Sequence, residues 1–295
     1  MPTEQWTILD AMAWTEQRLA RQGEENPRLA AQMLASHATG LSRIELYTHF
    51  DRPLSAEERA LLRESIQRRL TSEPLQYIIG SVGFRHLELT VRAPVLIPRP
   101  ETETLVQLVL DFVARSEAAK PRIVDMGTGS GAIALSLLHE LEACEVVATD
   151  CDECAVALAE ENARELKLDG EERLHLVLDD LAGSLVADAA WHQSCDVVIS
   201  NPPYVPTVEY EQLPAEIVRF ESRLALDGGA DGLELYRRVI EQAQILLRSG
   251  GLLAVELHEN TLTEAARAAH CLPYTDVTVH EDLTGRPRFL TAFRS

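Results

Sequence analysis

Arg122-Ile-Val-Asp-Met-Gly127-Thr-Gly129-Ser-Gly131-Ala-Ile-Ala-Leu-Ser-Leu-Leu138 passes from an apolar strand through a glycine-rich turn into an amphipathic helix. Such a turn lets the backbone approach a ligand closely, and the helix behind it offers free N–H groups. The spacing also fits a dinucleotide-binding turn, with Ala132 as the third small position, so the loop alone leaves its nucleotide open. Strands and helices then alternate as far as Gly250-Gly251-Leu-Leu-Ala-Val-Glu256, which predicts a doubly wound, mostly parallel α/β sheet. Two last strand-like segments, Asp276-Val-Thr-Val-His280 and Arg288-Phe-Leu-Thr-Ala-Phe293, are expected to pair as an antiparallel end.

The strand ends carry the chemistry. Glu145-Val-Val-Ala-Thr-Asp150 stops at a carboxylate about 20 residues after the glycines, where folds for NAD and for S-adenosylmethionine both place an acid on the ribose diol. Leu174-His-Leu-Val-Leu-Asp179-Asp180 follows, and Asp180 is a candidate acceptor for an adenine amino group. The fourth strand is Asp196-Val-Val-Ile-Ser-Asn201-Pro-Pro-Tyr204. Four consecutive strands thus end in polar groups, as ligand binding across the carboxyl edge of an open α/β sheet requires.

The fourth end separates the two nucleotides. A planar NH2 on an amide or a base is a poor nucleophile because its lone pair is delocalised, so a catalyst must fix it and supply acceptors. Asn201 Oδ1 can take one N–H bond and the Pro202 carbonyl the second, while proline fixes φ near about −65° at two successive positions. Tyr204 offers a face for stacking. This is amino-group chemistry, and it favours a methyl donor over a hydride carrier. A plain proline-rich strand exit is the bland alternative.

With those residues in view, the chain resembles the release factor glutamine methyltransferases, the PrmC or HemK family, over nearly its whole length. The matching segments are Leu75-Gln-Tyr-Ile-Ile-Gly80, Leu96-Ile-Pro-Arg-Pro-Glu-Thr-Glu103, the glycine loop, Asn201 to Tyr204, Leu226-Asp-Gly-Gly-Ala-Asp-Gly232 and Asp282-Leu-Thr-Gly-Arg-Pro-Arg288. The resemblance implies a class I S-adenosylmethionine-dependent methyltransferase fold, Rossmann-like with an antiparallel end, plus a small N-terminal helical bundle. It also implies methyl transfer from S-adenosyl-L-methionine to the side-chain amide nitrogen (N5) of the Gly-Gly-Gln glutamine of class I peptide release factors. Carried over by position, Gly127, Thr128, Gly129, Ser130 and Gly131 would surround the methionine part of the cofactor and Asp150 would bind the ribose. Asp180 and Leu181 would flank the adenine. Asn201, Pro202, Pro203 and Tyr204 would hold the glutamine amide, with Asn201 also bordering the cofactor. The chain departs from the family pattern at Leu181, where many members carry an aromatic or larger residue. It departs again at Leu257-His258-Glu259-Asn260, which replaces a glycine-containing turn.

A length of 295 residues suggests two domains, and 46% hydrophobic residues supply real cores. The expected division is a helical substrate-recognition domain at 1–80, a β-hairpin linker at 81–100 and a cofactor-binding catalytic domain at 101–295. In the first, Ile8, Leu9, Met12, Ala13, Trp14 and Leu19 form a rough helical stripe, Asn26-Pro27 opens a second helix, and Ser55-Ala-Glu-Glu58 reads as a capping box stapled by Leu54. Residues 82–97 alternate around Phe84, Leu87, Leu89 and Val91. Arg99-Pro100 precedes a helix starting near Glu101; Glu101 and Glu103 suit a helix N-terminus, or else line the mouth of the site with Arg99.

A formal charge of −20, with pI near 4.8, disfavours a nucleic-acid partner, since phosphate binding needs clustered Lys and Arg. That weighs against the rival reading, an amino methyltransferase acting on adenine or guanine of RNA or DNA. The opening Met1-Pro-Thr-Glu-Gln-Trp lacks a signal-peptide pattern and no apolar run approaches the ~18 residues of a membrane span, so a soluble cytoplasmic protein is expected. A monomer is the expected state. Five cysteines without framework spacing fit a reducing compartment, and neither Cys151-Asp-Glu-Cys154 nor the nine histidines gives a metal pattern.

Overall fold

The computed structural model describes residues 6–170 and 172–295. These fall into two compact units, one formed by the described residues up to Ser81 together with Ala215–Phe220, the other by Val82–Pro214 and Glu221–Ser295.

In the first unit, α1 (Ile8–Ala20), α2 (Pro27–Thr39), α3 (Arg43–Thr48), α4 (Ala56–Leu70) and α5 (Leu75–Ile79) enclose a core that includes Ile8, Leu19, Leu34, Leu46 and Ile66. Thr7, Ser42 and Ser55 each form a complete capping box with the acid three residues on, which satisfies N–H groups left free by the first turn. Pro27 opens α2 at a position where its missing N–H costs nothing, and Gly40 closes that helix in the left-handed region. The buried face of α1 differs from the expected stripe. It runs Ile8, Ala11, Met12, Thr15, Leu19, while Leu9, Ala13 and Trp14 lie outside it and are exposed. Thr15 can stay in the core because its hydroxyl donates to the Ala11 carbonyl at 2.7 Å, so a polar residue continues the helical spacing. The short helix α11 (Ala215–Phe220) belongs to this unit, where the largely buried Arg69 guanidinium donates to Glu24 and Glu216, both at 2.7 Å.

The hairpin β1 (Ser81–Phe84) and β2 (Leu87–Thr90), which from Val82 onward belongs to the second unit, buries Phe84, Leu87 and Leu89 as the alternation predicted. Next come α6 (Thr102–Arg115), β3 (Arg122–Met126), α7 (Ala132–Glu140), β4 (Glu145–Asp150), α8 (Glu153–Glu165), β5 (Leu174–Leu178), α9 (Gly183–Ala187) and β6 (Cys195–Ser200). After α10 (Thr207–Tyr210) and α11, the chain completes α12 (Glu234–Leu246), β7 (Leu247–Glu256), α13 (Leu262–His270), β8 (Tyr274–Glu281) and β9 (Pro287–Arg294). Seven strands form one sheet in the order β5-β4-β3-β6-β7-β9-β8; its first five are parallel, while β9 runs antiparallel to both β7 and β8.

The strands read as unbroken apolar runs because helices cover both faces. Ile123, Val146, Val197 and Leu252 pack with α6 and α7; their neighbours Val124, Val147, Val198 and Leu253 pack with α12 and α13. Each fully buried aliphatic side chain contributes about 1.5–3 kcal/mol of transfer free energy, so this two-sided core fixes the register of the sheet and with it the strand ends. The order reverses between β3 and β6, and that is the crevice where a ligand binds an open α/β sheet. No helix among the described residues is long and apolar enough to cross a membrane.

Candidate active site

At the end of β3 the chain turns through Gly127, Gly129 and Gly131, with φ of 79°, 56° and 85°. Side chains rarely adopt these values, which is the physical need for glycine here. The loop is pinned from β4: the Gly127 and Thr128 N–H groups both donate to the Thr149 carbonyl at 2.9 Å, and Gly129 N–H donates to Asp150 Oδ2 at 2.9 Å. Asp150 Oδ1 accepts from Asp152 N–H at 3.0 Å. Burial lifts the Asp150 carboxyl above the ordinary aspartate range, and these N–H bonds hold the rise in check. Beneath the loop, Thr128 donates to Asp125 Oδ2 at 2.7 Å; burial pushes this carboxyl up to about 7 against the pull of the Thr128 bond.

A cavity opens over these strand ends. Gly127, Gly129, Asp150, Asp180, Leu181, Asn201 and Pro203 line it, together with Leu96, Cys151 and Leu235. Thr128, Ser130 and Gly131 are not among its walls. Thr128 and Ser130 are buried, and the Ser130 carbonyl accepts from Asn162 Nδ2 at 2.9 Å, so both shape the loop from inside. A Cβ on Gly131 would lie 3.0 Å from Leu135 Cδ1, a tight contact that adds to the demand for glycine already set by its φ of 85°. Of the two acids after β5, Asp179 caps α9 through Ser184, and Asp180 reaches the cavity while pairing with Arg238 at 2.7 Å. Leu181, at φ 55°, joins the core beside α12.

On the other side of the crevice, β6 delivers Asn201 to Tyr204. Ser200 Oγ donates to the Met126 carbonyl at 2.7 Å and ties this strand end to β3. Asn201 Nδ2 donates to Thr102 Oγ1 at 3.2 Å, and Thr102 donates in turn to Glu256 Oε2 at 2.7 Å. The Asn201 amide is thus held by its nitrogen end. Glu256 is 1% exposed, and burial pushes its carboxyl up to about 7 against the pull of the Thr102 bond and of Arg288. Tyr204 sits with its ring centroid 6.3 Å from that of His258; burial and the charge of Glu256 push its phenol up to about 12, so it stays protonated at neutral pH. Asn201 and Tyr204 line a smaller adjoining cavity with Arg99 and Leu226. Arg99 donates to both oxygens of the buried Glu221 carboxylate at 2.7 and 2.6 Å, which fixes one wall.

Thr102 and Glu256 were not singled out as site residues from the sequence. Glu256 carried a readable signal, since it ends an apolar strand as Asp150 does. Thr102 carried none beyond its place inside Arg99-Pro-Glu-Thr-Glu103.

The 226–232 segment buttresses the Asn-Pro-Pro-Tyr turn. Val205 N–H donates to the Leu226 carbonyl at 2.9 Å and Gly228 N–H to the Val205 carbonyl at 2.8 Å. A Cβ on Gly228 would stand 2.6 Å from the Pro203 carbonyl oxygen and 2.8 Å from Tyr204 Cα, so only glycine lets the two backbones approach. Gly228→Ala is expected to displace the turn, lowering stability by about 1–3 kcal/mol and methyl-transfer rate more than cofactor affinity. Thermal unfolding, calorimetry and single-turnover kinetics on one preparation check this.

The comparisons with known proteins agree with this geometry. The PrmC N-terminal domain model matches residues 10–80 and the methyltransferase small domain model residues 106–230. The chain is 40% identical over 276 residues to the release factor glutamine methyltransferase of Geobacter sulfurreducens, covering 92% of this chain and 93% of that protein. The chain belongs to the release factor glutamine methyltransferases. Another member, from Chlorobaculum tepidum, is 36% identical with 99% of both chains covered; the human MTRF1L release factor glutamine methyltransferase is 35% identical over 93% of this chain and 84% of its own length. The catalytic domain of hMettl16, solved with the MAT2A 3′UTR hairpin 6, superposes with a TM-score of 0.54 at 19% identity, over 70% of this chain and 75% of that one. That likeness concerns the fold, and it confirms for this release factor glutamine methyltransferase the α/β sheet architecture expected from the glycine loop.

Proposed function

We propose that this chain transfers a methyl group from S-adenosylmethionine to the side-chain amide nitrogen of a glutamine in class I peptide release factors, the glutamine of their Gly-Gly-Gln loop. The observation that supports it most is the Asn201 amide, anchored by its nitrogen end to Thr102 so that Oδ1 is left to accept; Pro202 is buried and lines neither cavity, so its carbonyl is the second acceptor by proposal alone.

The residues present fit the cofactor. Apart from each glycine and its two chain neighbours, no heavy atom of the described residues lies within 4 Å of where a Cβ on Gly127 or Gly129 would stand, so bare backbone faces open space there; Asp150 borders the same cavity with a carboxylate that can accept from a ribose diol. Gly127 and Gly129 would hold the methionine part, supported from behind by Thr128, Ser130 and Gly131, with Asp180 and Leu181 at the adenine. When bound, S-adenosylmethionine supplies a methyl group on a positively charged sulfur.

The protein's own part is positioning. Asn201 Oδ1 and the Pro202 carbonyl accept the two N–H bonds of the glutamine amide, which turns its nitrogen lone pair toward the crevice, while Pro203 stiffens the turn and Tyr204 covers the planar group. Both N–H bonds strengthen as positive charge develops on nitrogen, so they favour the transition state over the ground state. Orientation and avoided solvent reorganisation are worth on the order of 7–11 kcal/mol for well-aligned pairs. No strong base is needed, since the N-methylated, N-protonated amide is acidic and gives its proton to water. The helical unit supplies recognition surface, because a protein substrate needs an area far larger than one glutamine pocket.

The net charge of −20 argues for a protein partner over RNA or DNA. Incubation with labelled S-adenosylmethionine and a purified class I release factor, beside RNA and DNA controls, tests the assignment. Label is expected on the Gly-Gly-Gln glutamine by mass mapping; label confined to nucleic acid would refute it.

A further inference from the structure

We propose that Glu256, acting through Thr102, is a positioning residue that sets which end of the Asn201 side-chain amide faces the substrate. The proposal rests on the reading that Asn201 holds the glutamine amide. Its basis is donor and acceptor bookkeeping along one chain of contacts, Asn201 Nδ2 to Thr102 Oγ1 at 3.2 Å and Thr102 Oγ1 to Glu256 Oε2 at 2.7 Å. An ionised carboxylate only accepts, so the single Thr102 hydroxyl proton must point at Glu256. The Thr102 oxygen then has only lone pairs left for Asn201. The Asn201 amide must turn its nitrogen to Thr102 and its oxygen outward, where the substrate N–H needs an acceptor.

Protonation of Glu256 removes that constraint. A carboxylic acid can donate to Thr102, whose own proton is then free to point at Asn201. The amide can rotate to accept it, and Nδ2 would face the substrate donor against donor. The relay is buried at both supporting members, Thr102 at 4% and Glu256 at 1% exposure, so water does not short-circuit it. The groups that face Glu256 come from three further segments: Arg99 and Glu101 before α6, Tyr204 after β6, and Arg288 on β9. Arg288 and Arg99 favour the carboxylate, Glu101 opposes it, and burial outweighs them, bringing the group up to about 7. The Asn201 orientation would therefore be sensitive to pH across the neutral range, with the productive orientation on the alkaline side.

The test combines three substitutions with single-turnover methylation of a purified class I release factor at saturating S-adenosylmethionine. Thr102→Val, isosteric but without the hydroxyl, is expected to lower the rate of the chemical step by about tenfold or more, with cofactor affinity and KM for the release factor nearly unchanged, and Thr102→Ser to recover most of the loss. Glu256→Gln offers Thr102 an uncharged acceptor that does not titrate. Whatever its absolute rate, it is expected to lack the acid limb that the relay predicts for the wild type between about pH 6 and 8.5. Asn201→Ala is the control: if it keeps the wild-type rate, the amide-holding reading itself fails. If Asn201→Ala is impaired while Thr102→Val is not, or if the acid limb survives in Glu256→Gln and so belongs to another group such as Asp125, the relay alone is overturned. Should Thr102→Val lose cofactor binding through misfolding, the profile of Glu256→Gln and the activity of Thr102→Ser still decide.

Discussion

Asn201→Ala is expected to slow the chemical step by ~100-fold or more, which is about 2.7 kcal/mol of lost transition-state stabilisation, while S-adenosylmethionine affinity stays close to that of the wild type. The separation follows from what the side chain touches. Asn201 is anchored to Thr102 and offers Oδ1 as an acceptor, whereas the cofactor contacts assigned to the glycine turn and Asp150 lie on β3 and β4. Asn201→Asp should fall between the two, because it keeps an outward acceptor but sets a second oxygen against the Thr102 oxygen that needs a donor. Single-turnover rates at saturating cofactor measure this. A wild-type rate in the alanine variant would reduce the Asn-Pro-Pro-Tyr segment to a strand exit.

The second large effect concerns the donor. On the proposed binding mode Asp150→Ala would remove charge-assisted bonds to a diol, each worth about 1.5–3 kcal/mol, so affinity for S-adenosylmethionine should drop at least tenfold. It also strips the acceptor from the Gly129 and Asp152 N–H groups, so the glycine turn loosens as well. Asp150→Asn, which keeps one oxygen acceptor, should lose less. Because burial raises the Asp150 carboxyl, the wild type should begin to lose affinity on acidification at a higher pH than an exposed aspartate would impose: the ionised form is the acceptor, and it fills with protons first. Calorimetry of both variants across pH checks the magnitude and the sign; unchanged affinity in the alanine variant would remove Asp150 from the site.

The sequence carried the fold because its strongest signals are local. The glycine turn between an apolar strand and a helix, the acids ending β4 and β5, and the alternation through Phe84 to Val91 are patterns within a few residues, and each sits where the spacing put it. The misjudged face of α1 has the opposite origin. Trp14 and Leu9 are apolar by type, but the core took Ala11 and Thr15, because helical spacing from Ile8 decided burial over hydropathy. The relay from Asn201 through Thr102 to Glu256 was out of reach for a further reason: its members are 99 and 154 residues apart in pairs, and nothing local says that a threonine in the first turn of α6 will meet the end of β7. The role of Gly228 was equally hidden, since a need for missing volume appears only when the neighbouring backbone is seen.

The hydrogen bond from Ser200 to the Met126 carbonyl, with the Met126–Ser200 register pairing around it, has a consequence for how such an enzyme can diversify. The glycine turn leaves one strand and the Asn-Pro-Pro-Tyr turn leaves the next, so the two turns start one inter-strand spacing apart, about 4.7–4.9 Å, set by main chain and common to any sequence that keeps the sheet. With the roles proposed above, side-chain changes on the β6–β7 half would remodel which nitrogen is admitted without moving the donor half, and changes around the glycine turn would retune the donor without disturbing the acceptor. The starting points of the two turns are inherited with the backbone, while the side chains that each turn carries stay open to mutation.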